Sequence, residues 1–185
     1  MPCWRSSGLA ASWAARCCGP ELARVIGAGP LGIRIVRARE RSLAEINGLI
    51  ARAKSHWAWP KEYLERALPL HRLTPAYLQS NHCFEVLSIE DELIGFCAVA
   101  AGEPKILFDN LWIAPDRIRQ GIGRHACEHV FRLGREQGWK ELWVLPDPPA
   151  EGFYRKMGFV DTGDRVSSRV PGGPVFPVYC IRLQA

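Results

Sequence analysis

The chain has 185 residues, 48% apolar and 23% charged, with a formal charge of +5 at pH 7. That length suits one domain with a sizeable core, and the composition is that of a globule rather than a disordered or fibrous chain. No apolar run reaches the roughly 18 residues of a membrane span, and Lys and Arg form no block of the kind that binds nucleic acid.

Residues 1–30 hold three Arg against one Glu, and Ser6 to Ala15 carry no charge. This Ala- and Ser-rich stretch reads as an irregular extension over 1–31, ahead of a folded unit over 32–185, more than as a targeting segment. Gly27-Ala28-Gly29-Pro30-Leu31-Gly32 has the spacing of a dinucleotide-binding turn. Such a turn opens a helix, whereas Pro30 lies inside this one and Ile33 to Val36 reads as a strand, so a linker is the better reading.

Ser42 and Glu45 make a capping box for a helix whose apolar side is Leu43, Ile46, Ile50 and Ala53. Ser55-His56-Trp57-Ala58-Trp59-Pro60 interrupts it. A second helix follows over about Lys61 to Leu68, closed by Pro69, and Thr74-Pro75 starts a short third piece through Leu78. Cys83 to Ile89 and Leu93 to Ala101 read as a hairpin around Glu90-Asp91-Glu92. Gly95, in the middle of the second strand, permits close approach of backbone or of a large neighbouring side chain. Ile106 to Ile113 is the next strand, so three sequential strands make an antiparallel meander, ended by Ala114-Pro115.

A polar turn, Asp116 to Gln120, then leads to Gly121-Ile122-Gly123, which opens a helix running to about Gly138. Its first backbone N–H groups have no partner within the helix, and together with the helix field they suit a phosphate. Glycine lets the backbone come close to such a ligand, and Arg117, Arg119 and Arg124 add positive charge. Taken alone, the stretch is also compatible with an ordinary strand-to-helix connection. Beyond it, Glu141 to Leu145 reads as a strand that the crossover makes parallel to 106–113. A helix over Ala150 to Met157 stops at Gly158, and a strand runs from Phe159 to about Asp164. After a loop over Val166 to Pro174 comes a last strand, Val175 to Leu183, in which Pro177 marks an edge or a bulge.

The seven Cys are scattered with no Cys-x-x-Cys pair, and the apolar settings of Cys97, Cys127 and Cys180 suggest reduced thiols in a cytoplasmic protein. His125-Ala126-Cys127-Glu128-His129 has the inverted zinc-protease spacing, yet no third ligand follows on a credible helix, so no metal is expected.

Two blocks carry a family resemblance. Ile118-Arg119-Gln120-Gly121-Ile122-Gly123 resembles the pyrophosphate turn of the Gcn5-related N-acetyltransferase (GNAT) superfamily, with Ile118 where Arg or Gln is usual. Asp147-Pro148-Pro149-Ala150-Glu151-Gly152-Phe153-Tyr154, followed by Gly158-Phe159, resembles its later motif, with Asp147 where Asn is usual. The resemblance spans roughly residues 32–183, and the His56-Trp57 pair is similar to one in small bacterial acetyltransferases. It implies a mixed α/β (α+β) fold of the acyl-CoA N-acyltransferase type: a central, mostly antiparallel twisted sheet with helices on both faces. It implies acetyl-CoA as cosubstrate, and transfer of its acetyl group to a primary amine by direct attack in a ternary complex.

By the same resemblance, Leu111, Trp112 and Ile113 would hold the thioester and pantetheine between splayed strands. Arg119, Gln120, Gly121, Ile122, Gly123 and Arg124 would hold the pyrophosphate, and Asp147 would help bind the cofactor. Tyr154 is the candidate acid for the leaving thiolate. The candidate bases are Asp109, His56 and Glu85, with Asp109 preferred; an amine that arrives already neutral would need no dedicated base. On a regular strand Asp109 and Asn110 face opposite sides. Trp57 and Asn110 are candidate acceptor contacts, while Trp59 reads as core. The partner is a small-molecule or peptide amine, and a homodimer is compatible with the sequence. A non-catalytic CoA-binding or sensing domain is the alternative. A nucleotide-dependent enzyme is disfavoured because no Gly-x-x-x-x-Gly-Lys loop is present.

Overall fold

The structure is a computed structural model that describes residues 32–102 and 105–183. Residues 27–31 of the dinucleotide-like turn, and the extension before them, lie outside the described residues. The strands are β1 (Arg34–Arg37), β2 (His82–Leu87), β3 (Leu93–Ala101), β4 (Ile106–Ile113), β5 (Glu141–Val144), β6 (Val160–Ser167) and β7 (Val175–Arg182). The helices are α1 (Leu43–Ser55), α2 (Lys61–Ala67), α3 (Pro75–Ser80), α4 (Ile122–Glu136) and α5 (Glu151–Lys156). One sheet runs in the order β1-β2-β3-β4-β5-β7-β6. Every pairing is antiparallel except β4 with β5, as the crossover through α4 requires.

β3 is apolar almost throughout because both its faces are covered. On one face Ile46, Leu49 and Ile50 of α1 and Leu78 of α3 pack on Phe96 and Ala98. On the other, Ile122, Ala126 and Val130 of α4 and Tyr154 of α5 pack on Val99, Phe108 and Leu142. Each large apolar side chain buried this way contributes about 1.5–3 kcal/mol. A smaller cluster of Tyr63, Ala67 and Val170, with Trp59 against it, joins α2 to the β6–β7 loop.

Two glycines mark close approaches. At Gly95 a Cβ would stand 3.2 Å from the Trp112 carbonyl oxygen and 3.2 Å from Val86 Cβ, so both expected reasons for that glycine hold. At Gly134 a Cβ would run into Leu183 Cδ1 and stand 3.1 Å from Trp139, so Gly134→Val would lift α4 off the sheet end.

Several local expectations need correction. The Ser42–Glu45 capping box does not form. Ser42 ends a 3-10 turn (Glu40–Ser42) in helical conformation, and its side chain makes no cap bond. The cap of α3 does form, with Thr74 accepting from the Tyr77 N–H at 3.2 Å. The second α-helix does stop ahead of Pro69, at Ala67 with Leu68 as its cap, but the chain then continues as a 3-10 piece, Leu68–His71, that contains Pro69. β7 is not an edge strand, since it lies between β5 and β6. Pro177 is tolerated because β5 pairs with β7 only over Tyr179–Arg182, while the β6 ladder shifts register between Asp161 and Arg165, which pairs with Pro177.

Candidate active site

The site follows from how β4 ends. β4 and β5 are bridged at a single pair, Leu107 with Trp143, so beyond Leu107 the two strands leave an open edge between them. On its other side β4 stays paired to β3, but the register shifts. Ala98 faces Asn110 while Val99 faces Phe108, which leaves Asp109 as the extra residue of a β-bulge. The bulge overturns the expectation that Asp109 and Asn110 face opposite sides. Asn110 Nδ2 donates to Asp109 Oδ2 at 2.8 Å, and Tyr77 of α3 donates its hydroxyl to the same oxygen at 2.5 Å. Asn110 Nδ2 also reaches the Tyr77 hydroxyl oxygen at 2.8 Å, and Asn110 Oδ1 accepts from Trp112 Nε1 at 2.7 Å. Asp109 is thus exposed, yet held by one oxygen, while Asn110 is buried.

Phe108, the residue before the bulge, points to the opposite face. There its ring meets Tyr154 edge-on, with centroids 6.3 Å apart. Phe153 and Phe159 close around the same phenol at 5.1 and 5.4 Å. Burial is the main reason the Tyr154 phenol is pushed far above its ordinary pKa, and the nearby Asp147 carboxylate adds to it. A phenol held in this way stays protonated at neutral pH. The bulge therefore has a carboxylate on one side and a neutral acid on the other.

The proposed phosphate turn takes a defined shape. Arg119 and Gly121 both have left-handed backbones, at φ 64° and 82°. Gly121 is the N-cap of α4, where it supplies no side chain, so nothing from the cap residue satisfies the first helical N–H groups. Gln120 Nε2 ties the turn by donating to the Asp116 carbonyl at 3.0 Å. Arg119 and Arg124 are exposed beside it. Arg117 is directed elsewhere, to Glu92 at 3.2 Å and Asp116 at 3.4 Å. At Gly123 a Cβ would stand 3.4 Å from Phe153, so this glycine also seats α4 against α5. The arrangement fits a pyrophosphate: free N–H groups, a positive helix end and two nearby guanidiniums.

A second cluster went unnoticed in the sequence. Lys54, in the last turn of α1, is fully buried, and its Nζ lies 2.7 Å from both carboxylate oxygens of Asp147. Trp59, Tyr63 and Trp112 surround that ammonium with ring centroids at 4.8, 5.8 and 5.9 Å. Asp147 therefore gives its carboxylate to Lys54. His71 stands edge-on to Trp112 at 5.5 Å, and burial, then the Lys54 charge, lowers its pKa to about 4. The available clue was helical spacing: Lys54 lies four residues after Ile50, on the apolar stripe of α1.

The remaining candidates are dispersed. His56 is exposed at the C-terminal end of α1 with its ring edge-on to Trp57 at 5.4 Å. Glu85 is buried and accepts from the Arg39 N–H at 3.0 Å, which ties β2 to the segment after β1 rather than to the bulge. Trp59, expected in the core, packs on Tyr63 at 4.9 Å in the satellite cluster. His129 packs on Phe84 at 4.6 Å and accepts from Arg132 at 2.9 Å, and no group of three metal-ligating side chains occurs among the described residues. None of the described helices is long and apolar enough to cross a membrane.

Comparison with known proteins points the same way. Residues 46–159 match the acetyltransferase (GNAT) family model. A streptothricin acetyltransferase of Streptomyces lavendulae is 32% identical over 88 residues, 45% of this chain and 47% of that one. The peptidyl-lysine N-acetyltransferase YjaB of Salmonella typhimurium is 34% identical over 94 residues, 51% of this chain and 61% of that one. The matched segment thus spans about half the length of these curated relatives. Among solved structures, the PaiA N-acetyltransferase of Thermoplasma acidophilum in complex with coenzyme A superposes with a TM-score of 0.67, covering 81% of this chain and 98% of that one at 14% identity. Apo YjaB of Escherichia coli gives a TM-score of 0.60, covering 82% and 97% at 25% identity. The fold is the GNAT acyl-CoA N-acyltransferase fold, and the chain belongs to the acetyltransferase (GNAT) family.

Proposed function

We propose that this protein transfers the acetyl group of acetyl-CoA to a primary amine by direct attack within a ternary complex. The observation that carries this reading is the bulge in β4, which sets Asp109 and Tyr154 on opposite faces of the strand, beside its open edge. The turn at Arg119 to Arg124 receives the pyrophosphate, and the pantetheine follows the free edge of β4 past Ile113, Trp112 and Leu111. A backbone N–H there polarises the thioester carbonyl, a contribution on the order of 3 kcal/mol in the transition state.

Asp109 takes a proton from the acceptor's ammonium through the oxygen that Tyr77 and Asn110 leave free. The amine nitrogen then bonds to the carbonyl carbon, the carbon–sulfur bond breaks, and the nitrogen gives up its second proton to solvent, which leaves a neutral amide. Tyr154 gives its phenolic proton to the departing thiolate, and solvent restores it. The acceptor approaches from the α1–α2 side, where Trp57 and Asn110 lie. The relatives include a streptothricin acetyltransferase and a peptidyl-lysine N-acetyltransferase, so small-molecule and peptide amines are both in range. The buried thiols of Cys83, Cys97 and Cys127 suit a reducing, cytoplasmic setting.

The experiment is an acceptor screen read by thiol release from acetyl-CoA, with Tyr154→Phe as control. Acetyl-CoA binding without turnover on any amine would favour a non-catalytic CoA-binding domain instead.

A further inference from the structure

The cluster around Lys54 has the chemistry of an alkylammonium receptor. Aromatic faces within about 6 Å, joined by a carboxylate, are what such a receptor requires. Here Trp59, Tyr63 and Trp112 supply the faces and Asp147 the carboxylate, at the distances given above. The walls come from four places: the residues before α2, α2 itself, β4, and the turn after β5. The cluster therefore bridges β4 and the segment that leaves β5, on the face of Asn110 rather than that of Tyr154.

A continuous row of hydrogen bonds links one wall to the proposed base, from Trp112 to Asn110 to Asp109. Trp112 stands three residues past Asp109, about 10 Å at the rise of a strand. One group in the cluster is left wanting: Trp59 Nε1 is buried with no hydrogen-bond partner. An orphaned buried donor is costly unless an occupant brings it an oxygen or a bridging water.

We propose that the Asp147–Trp59–Tyr63–Trp112 cage binds one ammonium of a diamine acceptor, that Lys54 holds this place until the acceptor displaces it, and that the acceptor's second amine then lies at Asp109. The proposal rests on the acetyl-transfer reading above. Exchanging one ammonium for another keeps Asp147 paired and the three rings occupied, while Lys54 regains hydration. A neutral alkyl end cannot make that exchange, because it would strand the Asp147 charge. Lys54 is placed to leave: it sits in the final turn of α1, followed by exposed Ser55 and His56. His71 beside the cage adds no competing charge near neutrality.

The test uses the full chain with saturating acetyl-CoA, and compares 1,7-diaminoheptane, which carries a second ammonium at its far end, with heptylamine. The diamine is expected to be the better acceptor by tenfold or more in kcat/KM, with the difference in KM. Trp59→Leu should raise the diamine KM towards that of heptylamine. Lys54→Ala should lower the diamine KM several-fold, because the resident competitor is gone. Equal kcat/KM for the two amines in the unmodified protein, or a raised diamine KM in folded Lys54→Ala, would overturn the proposal.

If Lys54→Ala does not fold, or if no amine is turned over, thermal protection of the CoA-loaded unmodified protein decides. Protection by diaminoheptane beyond that by heptylamine supports the cage, and equal protection sinks it. Failure of all turnover alongside selective diamine protection would count against the transfer reading and not against the cage.

Discussion

Lys54 Nζ lies 2.7 Å from both oxygens of Asp147, and this pair ties the end of α1 to the turn that precedes α5. The Lys54 side chain is fully buried and that of Asp147 is 17% exposed, so water compensates little if one partner is lost. Lys54→Met keeps most of the volume and leaves a carboxylate among aromatic rings. It is expected to cost about 3 kcal/mol, the usual scale for stranding one half of a buried pair. Adding Asp147→Asn should recover part of that loss, since the stranded charge is gone. Urea titrations of the single and double variants measure both effects, and a loss below about 1 kcal/mol in Lys54→Met would mean the pair contributes little.

Tyr154→Phe removes one hydroxyl from a ring already fixed by Phe108, Phe153 and Phe159. Acetyl-CoA affinity should stay within a few-fold. The acyl-transfer rate should fall by roughly ten- to a thousand-fold, the scale for losing a positioned acid. Burial pushes this phenol far up. A high-pH limb in the unmodified enzyme therefore does not report its ionisation, and the same limb should persist in Tyr154→Phe. Full turnover in the variant would remove Tyr154 as the acid.

The phosphate turn is better probed by charge than by bulk. Gly123→Trp would push into Phe153, so its effect on binding would be mixed with a separation of α4 from α5. Arg124 is exposed in the first turn of α4. Arg124→Glu should weaken acetyl-CoA about tenfold, the loss of one charge-assisted contact, with little change in the melting temperature of the ligand-free protein. Acetyl-CoA should protect the unmodified domain thermally far more than ATP or NADH does. Equal protection by ATP would contradict the CoA reading.

What the sequence disclosed and what it hid divide along a physical line. β3 and β4 were readable to the residue because their apolar runs are bounded by turn residues on both sides. The turn at Gly121 was readable because a left-handed N-cap calls for glycine. The bulge at Asp109 was not, since it depends on how β3 pairs, and a single extra residue leaves no mark on the pattern of β4 itself. The same holds for Lys54, His71 and Tyr77. Each meets its partner across 30 or more residues of chain, Lys54 with Asp147, His71 with Trp112 and Tyr77 with Asp109. Only Lys54 left a trace, as a charged residue on an apolar stripe.

A chain beginning at Gly32 should keep the fold and bind acetyl-CoA as the full chain does. Ile33 is buried in the main core, and β1 starts at Arg34, paired with Leu87 of β2. The observable is far-UV circular dichroism with an acetyl-CoA thermal shift. A large loss of helical signal, or of the shift, would mean that residues 1–31 are part of the folded unit.

Acid should weaken the fold through two histidines. Burial is the first cause for both, and it lowers His71 and His129 from about 6.5 to about 4. Nearby charge is the next cause, Lys54 for His71 and Arg132 for His129. In the unfolded chain each imidazole takes up a proton as pH falls through about 6.5; in the folded protein it does not until about 4. Between those values the unfolded state binds more protons, so stability falls as pH falls, and near pH 4 the deficit reaches about 3 kcal/mol per histidine. His71→Gln and His129→Gln replace the titrating ring with a neutral group. Either variant should flatten the slope of unfolding free energy between pH 6.5 and 4 relative to the unmodified protein, and the double variant should flatten it further. Urea midpoints at several pH values in that window give the slopes. Carboxylates titrate in the lower part of the window in every variant, so the difference between slopes isolates the histidines. Identical slopes in the unmodified and double-variant proteins would show that both rings are free to protonate in the folded state.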